Sequence, residues 1–215
     1  MKSEATGKGR ITLTRTDWVM AARDQLESGG VTAVRIDRLA RDLHVTRGSF
    51  YFHFADRDDL LTALLDDWQI SNCLPFDSKL DNPDLDGRTI FDTINFEWFG
   101  AGTFRPYLDL AVRDWGKLSV SVAQKVAVAD TNRIALLKRG LNDLGVVGDE
   151  AVIRARIAYF HQIGYFAVQF SEPLEQRLEY VPIYLKVLTG IEDWDVLHSV
   201  TELSRNLAAT KKTKT

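Results

Sequence analysis

Between Thr14 and Leu65 the apolar positions recur at helical spacing in four short blocks separated by polar or glycine-rich breaks. Thr14-Arg15-Thr16-Asp17 has the form of a capping box. After it, Trp18, Val19, Ala22 and Leu26 share one face until Ser28-Gly29-Gly30 stops the helix. A second helix is predicted from about Arg35 to Leu43, with Ile36, Leu39, Ala40 and Leu43 on its buried side. Thr46 is placed to cap a short third helix ending near Phe52. Asp56 is placed to cap a fourth, with Leu60, Leu61, Leu64, Leu65 and Trp68 as its apolar stripe. The segment Leu43-His44-Val45 reads as the turn of a helix-turn-helix, with Leu39, Ala40, Val45 and Phe50 as its inner contact. Phe50, Phe52 and Phe54 read as core anchors.

From Asn72 to Gly87 the pattern breaks. Pro75, Pro83 and several Asp residues fall among few apolar ones. From Arg88 to about Leu207 the helical period resumes, punctuated by Gly102, Gly140, Gly145, Gly148 and Gly190. Pro106 sits where a helix can begin, and Pro182 implies a kink or a boundary. No segment alternates as a strand does, so the fold class is all-α: a small N-terminal helix-turn-helix head and a larger helical body. The boundaries are a flexible basic arm at 1–13, the head at 14–70, the body at 71–208 and a flexible tail at 209–215.

Composition narrows the picture. The chain has 215 residues, 45% of them hydrophobic, with a net charge of −3, which argues against a protein that coats nucleic acid indiscriminately. Positive charge gathers early at Lys2, Lys8, Arg10 and Arg15. These make either a cationic arm or a solvated tail. No apolar run is long enough to span a membrane and the N-terminus has no apolar signal core, so a cytoplasmic setting is expected. The single cysteine, Cys73, excludes an internal disulfide and a cysteine metal site. The histidines at 44, 53, 161 and 198 have no metal spacing, so neither metal nor cofactor is expected. No phosphate loop or nucleophile elbow is present, and the chain does not read as an enzyme.

The stretches AARDQLESGG, VRIDRLARDLHVTRGSFYFHF and ADRDDLL resemble the DNA-binding region of the tetracycline-repressor (TetR) family of transcriptional regulators. The resemblance covers residues 14–65. It implies that the third helix enters the major groove of double-stranded operator DNA. On that basis Thr46, Arg47, Gly48 and Ser49 form the exposed first turn of the recognition helix. Gly48 permits close backbone approach, and Arg47 reads guanine or pairs with phosphate. Tyr51, His53, Arg57 and Arg35 correspond to phosphate contacts, although His53 also reads as a satisfied core histidine. Arg38 and Arg41 read as solvated-face residues. The family usually has Gly in the turn where this chain has His44. His tolerates a left-handed backbone there at a cost on the order of 1 kcal/mol.

The resemblance further implies a homodimer whose body binds a small effector. The function expected is that of a repressor binding a pseudo-palindromic operator and released by a small hydrophobic or aromatic molecule. The middle of the chain is rich in rings, and Trp98, Phe99, Trp115, His161 and Tyr165 are the candidate ligand contacts, with Trp68 as the lever from the fourth helix. Rings at helical spacing also serve as plain core. Arg113-Asp114 beside Trp115 reads as a ligand-orienting pair or an ordinary surface pair. Ile157, Phe160, Ile163, Gly164, Ala167 and Val168 form a broad apolar face that reads, with the segment ending at Leu188, as the dimer interface. Two other functions stand beside this one: a DNA-binding regulator controlled by a protein partner without a small ligand, and, remotely, a helical enzyme using the aromatic pocket.

Overall fold

The computed structural model describes residues 13–99 and 102–194. The arm, but for its last residue, the tail and the helical pattern continuing to Leu207 lie outside the described residues. Among those described there is no strand, and the chain divides into two units after Leu65.

In the first unit α1 spans Arg15–Gly29. Its capping box is formed: Asp17 N–H donates to Thr14 Oγ1 at 3.3 Å, and Thr14 N–H donates to Asp17 Oδ2 at 2.7 Å. A 3₁₀ turn at Val31–Ala33 leads to α2, Ile36–Asp42, with Arg35 as its N-cap. His44 follows with φ of +56°, the left-handed conformation expected of a residue standing in for glycine. Next come α3, Arg47–Phe50, and α4, Arg57–Trp68, whose last turn contains the division. Thr46 does not cap α3 with its hydroxyl. The Ser49 N–H that such a cap would satisfy already donates to the Thr46 carbonyl at 3.0 Å. Asp56 does cap α4, accepting from Asp59 N–H at 2.9 Å while Asp59 accepts from Ala55 N–H at 3.0 Å.

Trp18, Leu26, Leu39, Phe50, Phe54 and Leu60 fill the core of this unit. Phe50 meets Trp18 edge-on and stacks with Phe54, each with ring centroids 5.3 Å apart. Phe52 is not a core anchor. It is 87% exposed, because the helical turn that sends Phe50 inward carries a residue two positions later to the other side.

In the second unit the end of α4 runs into a π-helical turn, Gln69–Cys73, that continues into α5, Leu74–Leu80. The expected break at Asn72–Gly87 is therefore partly helical, with the irregular chain confined to about 81–86. Asn72 explains why its polar sequence is ordered: fully buried, it donates to the Arg105 carbonyl at 2.8 Å and accepts from Arg105 N–H at 3.2 Å. Then follow α6 Gly87–Trp98, α7 Pro106–Gly116, α8 Val120–Asp143, α9 Gly148–Ala167, α10 Leu174–Glu179 and α11 Val181–Thr189. Pro106 opens α7 and Pro182 lies in the first turn of α11, a boundary rather than a kink. Gly140 does not punctuate. It lies inside α8, where a Cβ would come within 3.0 Å of Ile90 and 3.2 Å of Phe91, so glycine there permits α6 to approach closely.

α8 packs against α5, α6, α7 and α9. Where they meet, the body buries charge. Arg133 donates to Asp109 Oδ1 at 2.9 Å, to Asp109 Oδ2 at 3.2 Å and to the Asn72 carbonyl at 2.9 Å. Arg113 grips Asp130 with two nitrogens at 2.8 and 2.5 Å and also donates to Asp109. The Tyr159 hydroxyl donates to Asp130 at 2.6 Å and accepts from both arginines. Burial alone would raise the pKa of Asp109. The Arg133 guanidinium, with help from Arg113 and the Trp68 N–H, outweighs it and holds the carboxyl below its ordinary value.

Candidate functional site

The N-terminal site is built by α2, the His44 turn and α3. Val45 N–H donates to the Ala40 carbonyl at 2.9 Å, and buried Leu39, Ala40 and Phe50 fix the inner side of the pair. The outer side of α3 therefore faces water. Thr46, Arg47 and Gly48 are exposed and Ser49 is half-buried. Gly48 is not required by internal packing. A Cβ there would meet only Thr46 Oγ1 at 3.7 Å, an ordinary contact. Arg47 Nε pairs with Asp37 Oδ1 at 2.8 Å on the surface; exposed pairs of this kind are worth about 0–1 kcal/mol and exchange readily for another anion. Tyr51 and Arg35 are exposed and His53 is half-buried; Phe52, not singled out for this face in the sequence, is exposed beside Tyr51.

Arg57 is placed differently from the other candidates. Its Nε donates to the Val34 carbonyl at 2.7 Å and its Nη2 to the Val31 carbonyl at 2.6 Å. The side chain ties the start of α4 to the chain entering α2. Two of its nitrogens are thereby committed to the head itself.

The body holds a cavity of about 180 Å³ among α6, α9, α10 and α11. Its apolar wall includes Phe91, Ile94, Trp98, Phe99, Leu185 and Leu188; His161, Gln162, Tyr165, Glu172 and Arg177 add polar groups. The candidates Trp98, Phe99, His161 and Tyr165 are thus brought together. Trp68 and Trp115 are not among the lining residues. Trp68 is buried with its N–H donating to Asp109 at 3.0 Å, and serves the polar core. Trp115 shares one face of α7 with Leu108, Ala111 and Val112, the helical spacing of a core stripe. Arg113 belongs to the buried network, while Asp114 makes a surface pair with Lys117. Burial, reinforced by the nearby Arg177 cation, lowers the pKa of His161 and favours its neutral form. Arg177 was not legible as a site residue, since Leu174–Glu179 reads as an ordinary charged helix.

Of the candidate dimer face, Ile157, Phe160, Ala167 and Val168 are exposed, while Ile163 is half-buried and packs against the core of the body. Ile153, Ile157 and Phe160 on α9 and Ile183, Tyr184 and Val187 on α11 present apolar surface to solvent, with Phe160 58% and Val187 68% exposed. No atom lies within 4 Å of where a Cβ of Gly164 would stand. Cys73 is buried, and burial pushes its thiol up to about 12, so it is a poor nucleophile. Among the described residues no group of His, Cys, Asp and Glu could hold a metal ion, and no helix is long and apolar enough to cross a membrane.

No curated protein matches the chain. Among solved structures, reduced NemR of E. coli is 20% identical over 78% of this chain and 95% of its own, with a TM-score of 0.55, a likeness of fold. BioQ with its double-stranded DNA operator is 23% identical over 83% of this chain and 99% of its own, with a TM-score of 0.33. Residues 19–64 match the model of the bacterial regulatory proteins of the tetR family, and these residues contain α2, the His44 turn and α3. Residues 19–64 are thus a DNA-binding domain of the kind found in the bacterial regulatory proteins of the tetR family.

Proposed function

We propose that the chain is a repressor that binds a pseudo-palindromic operator as a homodimer and is released when a small hydrophobic or aromatic molecule enters the body. The observation that carries the ligand half is the cavity bounded by Trp98, Phe99, His161 and Tyr165 in a chain whose other unit is a DNA-binding head. In this reading the head extends over 14–70 and the body over 71–208. Thr46, Arg47, Gly48 and Ser49 face the major groove, and Arg35, Tyr51 and His53 face phosphates. Arg57 acts chiefly by holding the head in shape, with Nη1 and the second Nη2 hydrogen left for a phosphate. The exposed apolar strip of α9 and α11 pairs with its copy in a second chain. A redox response through Cys73 is disfavoured by its burial and its raised pKa.

Footprinting of the full chain on genomic fragments should show a protected sequence with two-fold symmetry, and the affinity should fall steeply with salt. A saturating effector should weaken operator binding by roughly five- to 150-fold, the usual range of allosteric coupling. A protected site without two-fold symmetry would end the dimer reading. A compound that fills the cavity and leaves operator affinity unchanged would end the ligand-release reading, in favour of control by a protein partner.

A further inference from the structure

Arg177 lies in the cavity wall as a cation without an ion pair. Its guanidinium carbon sits 4.2 Å from the Tyr165 ring centroid, 4.4 Å from that of Phe99 and 5.2 Å from that of Phe166. Its hydrogen bond to Gln162 Oε1 is long, at 3.4 Å, and no carboxylate among the described residues forms an ion pair with it. Glu172, also in the wall, acts on Arg177 only from beyond ion-pair distance. Gln162 adds a second unanswered donor: the residue is 6% exposed, and its Nε2 is buried with no acceptor.

A guanidinium taken out of water and set among rings loses hydration that aromatic faces restore only in part. An amide N–H buried without an acceptor is similarly costly. Gln162 also borders a void of about 20 Å³ beside Arg133 and Tyr159, room for a single water that would answer Nε2 in the empty protein. Such a water makes no ion pair with Arg177, whose charge Glu172 offsets only from a distance. The group that matches is a carboxylate, which accepts from a guanidinium with charge-assisted bonds. The size of the rest follows from the space. A cavity of about 150 Å³ lined by apolar side chains holds benzene, so about 180 Å³ takes one ring and a small substituent.

We propose that the cavity binds a small monocyclic carboxylate, its ring among Phe91, Ile94, Trp98 and Leu185 and its carboxylate accepting from Arg177 and Gln162. This rests on the reading of the cavity as the effector site and names the class of effector.

Calorimetric titration of the full chain with benzoate, and with benzyl alcohol as the neutral probe of matching ring, tests the assignment. Benzoate should bind about tenfold or more tightly than the alcohol, the margin of a charge-assisted hydrogen bond. In R177Q that preference should vanish while the alcohol's affinity holds, and R177K should recover part of it. Q162L should weaken benzoate and spare the alcohol. Equal binding of the two probes by the unaltered protein, or a carboxylate preference that survives R177Q, overturns the assignment and leaves the cavity as a site for neutral ligands. Failure of both probes to bind at millimolar concentration overturns the assignment together with the effector reading beneath it. The comparison of the two probes on the unaltered protein decides the matter even if a variant does not fold.

Discussion

The core of the head is made of rings and aliphatic chains, Trp18, Phe50 and Phe54 with Leu26, Leu39 and Leu60, whereas the body buries Arg133 against Asp109 where its helices meet. In the head the polar bonds lie nearer the surface and are short in sequence, like the capping boxes at Thr14 and Asp56. Longer links exist there too, from Arg57 back to Val31 and Val34 and, at the surface, from Arg15 to Asp59. In the body the buried Arg133 bonds residues 24 and 61 positions away, Asp109 and Asn72. An apolar core holds helices together without specifying which groups must meet. A buried ion network specifies its partners, because each member left alone carries the full cost of desolvation.

The sharpest way to break that contrast is Asp109→Ala. It leaves Arg133 buried without its carboxylate, and the body should lose about 3–5 kcal/mol in equilibrium denaturation. A loss below about 1 kcal/mol, the range of an exposed pair, would show that the network does not hold the body together. The same bond sets a pH dependence. The folded pKa of Asp109 is depressed below the ordinary 3.8, so its contribution is complete above that value and is lost as pH falls through the folded pKa. The body transition should therefore weaken in acid below that ordinary value.

Arg57→Ala tests the head. Removing a cation that donates to two carbonyls should destabilise the head by about 2 kcal/mol without any DNA present, read as a lower melting temperature of the free chain. If the free chain melts unchanged and only DNA binding weakens, Arg57 is a phosphate clamp after all.

The smallest effect on stability is the most telling for function. Gly48→Ala adds a methyl group that meets only Thr46 Oγ1 at an ordinary contact distance, and within a helix it should stabilise the free head by about 0.5–1 kcal/mol. Operator affinity should nevertheless fall, because the methyl stands between the backbone and the groove. Unchanged affinity in a gel-shift titration would remove Gly48 from the interface.

Much of the head was legible before any coordinates. Caps, a turn and an apolar stripe are set by residues three or four positions apart, and the position of His44 marked the left-handed turn. Where the local reading failed, a tertiary partner or the helical phase decided the outcome. Phe52 was placed in the core for its hydrophobicity, and its phase put it outside. Thr46 was placed as a cap, and the bond from Ser49 to its own carbonyl displaced the hydroxyl.

In the body the sequence by itself determined the all-α class, the helix start at Pro106, an interruption at Pro182 and a supply of rings suited to a pocket. Only the tertiary structure decided which rings line the cavity. Trp98 and Tyr165 are 67 positions apart and meet there, while Trp115 turns to the core and Trp68 turns its N–H to Asp109. Nor does the sequence show that Asn72 is buried, or that Arg177 is a cation facing a cavity rather than water. Burial and pairing belong to the packing of distant helices, and spacing along one helix carries no record of what the next one brings.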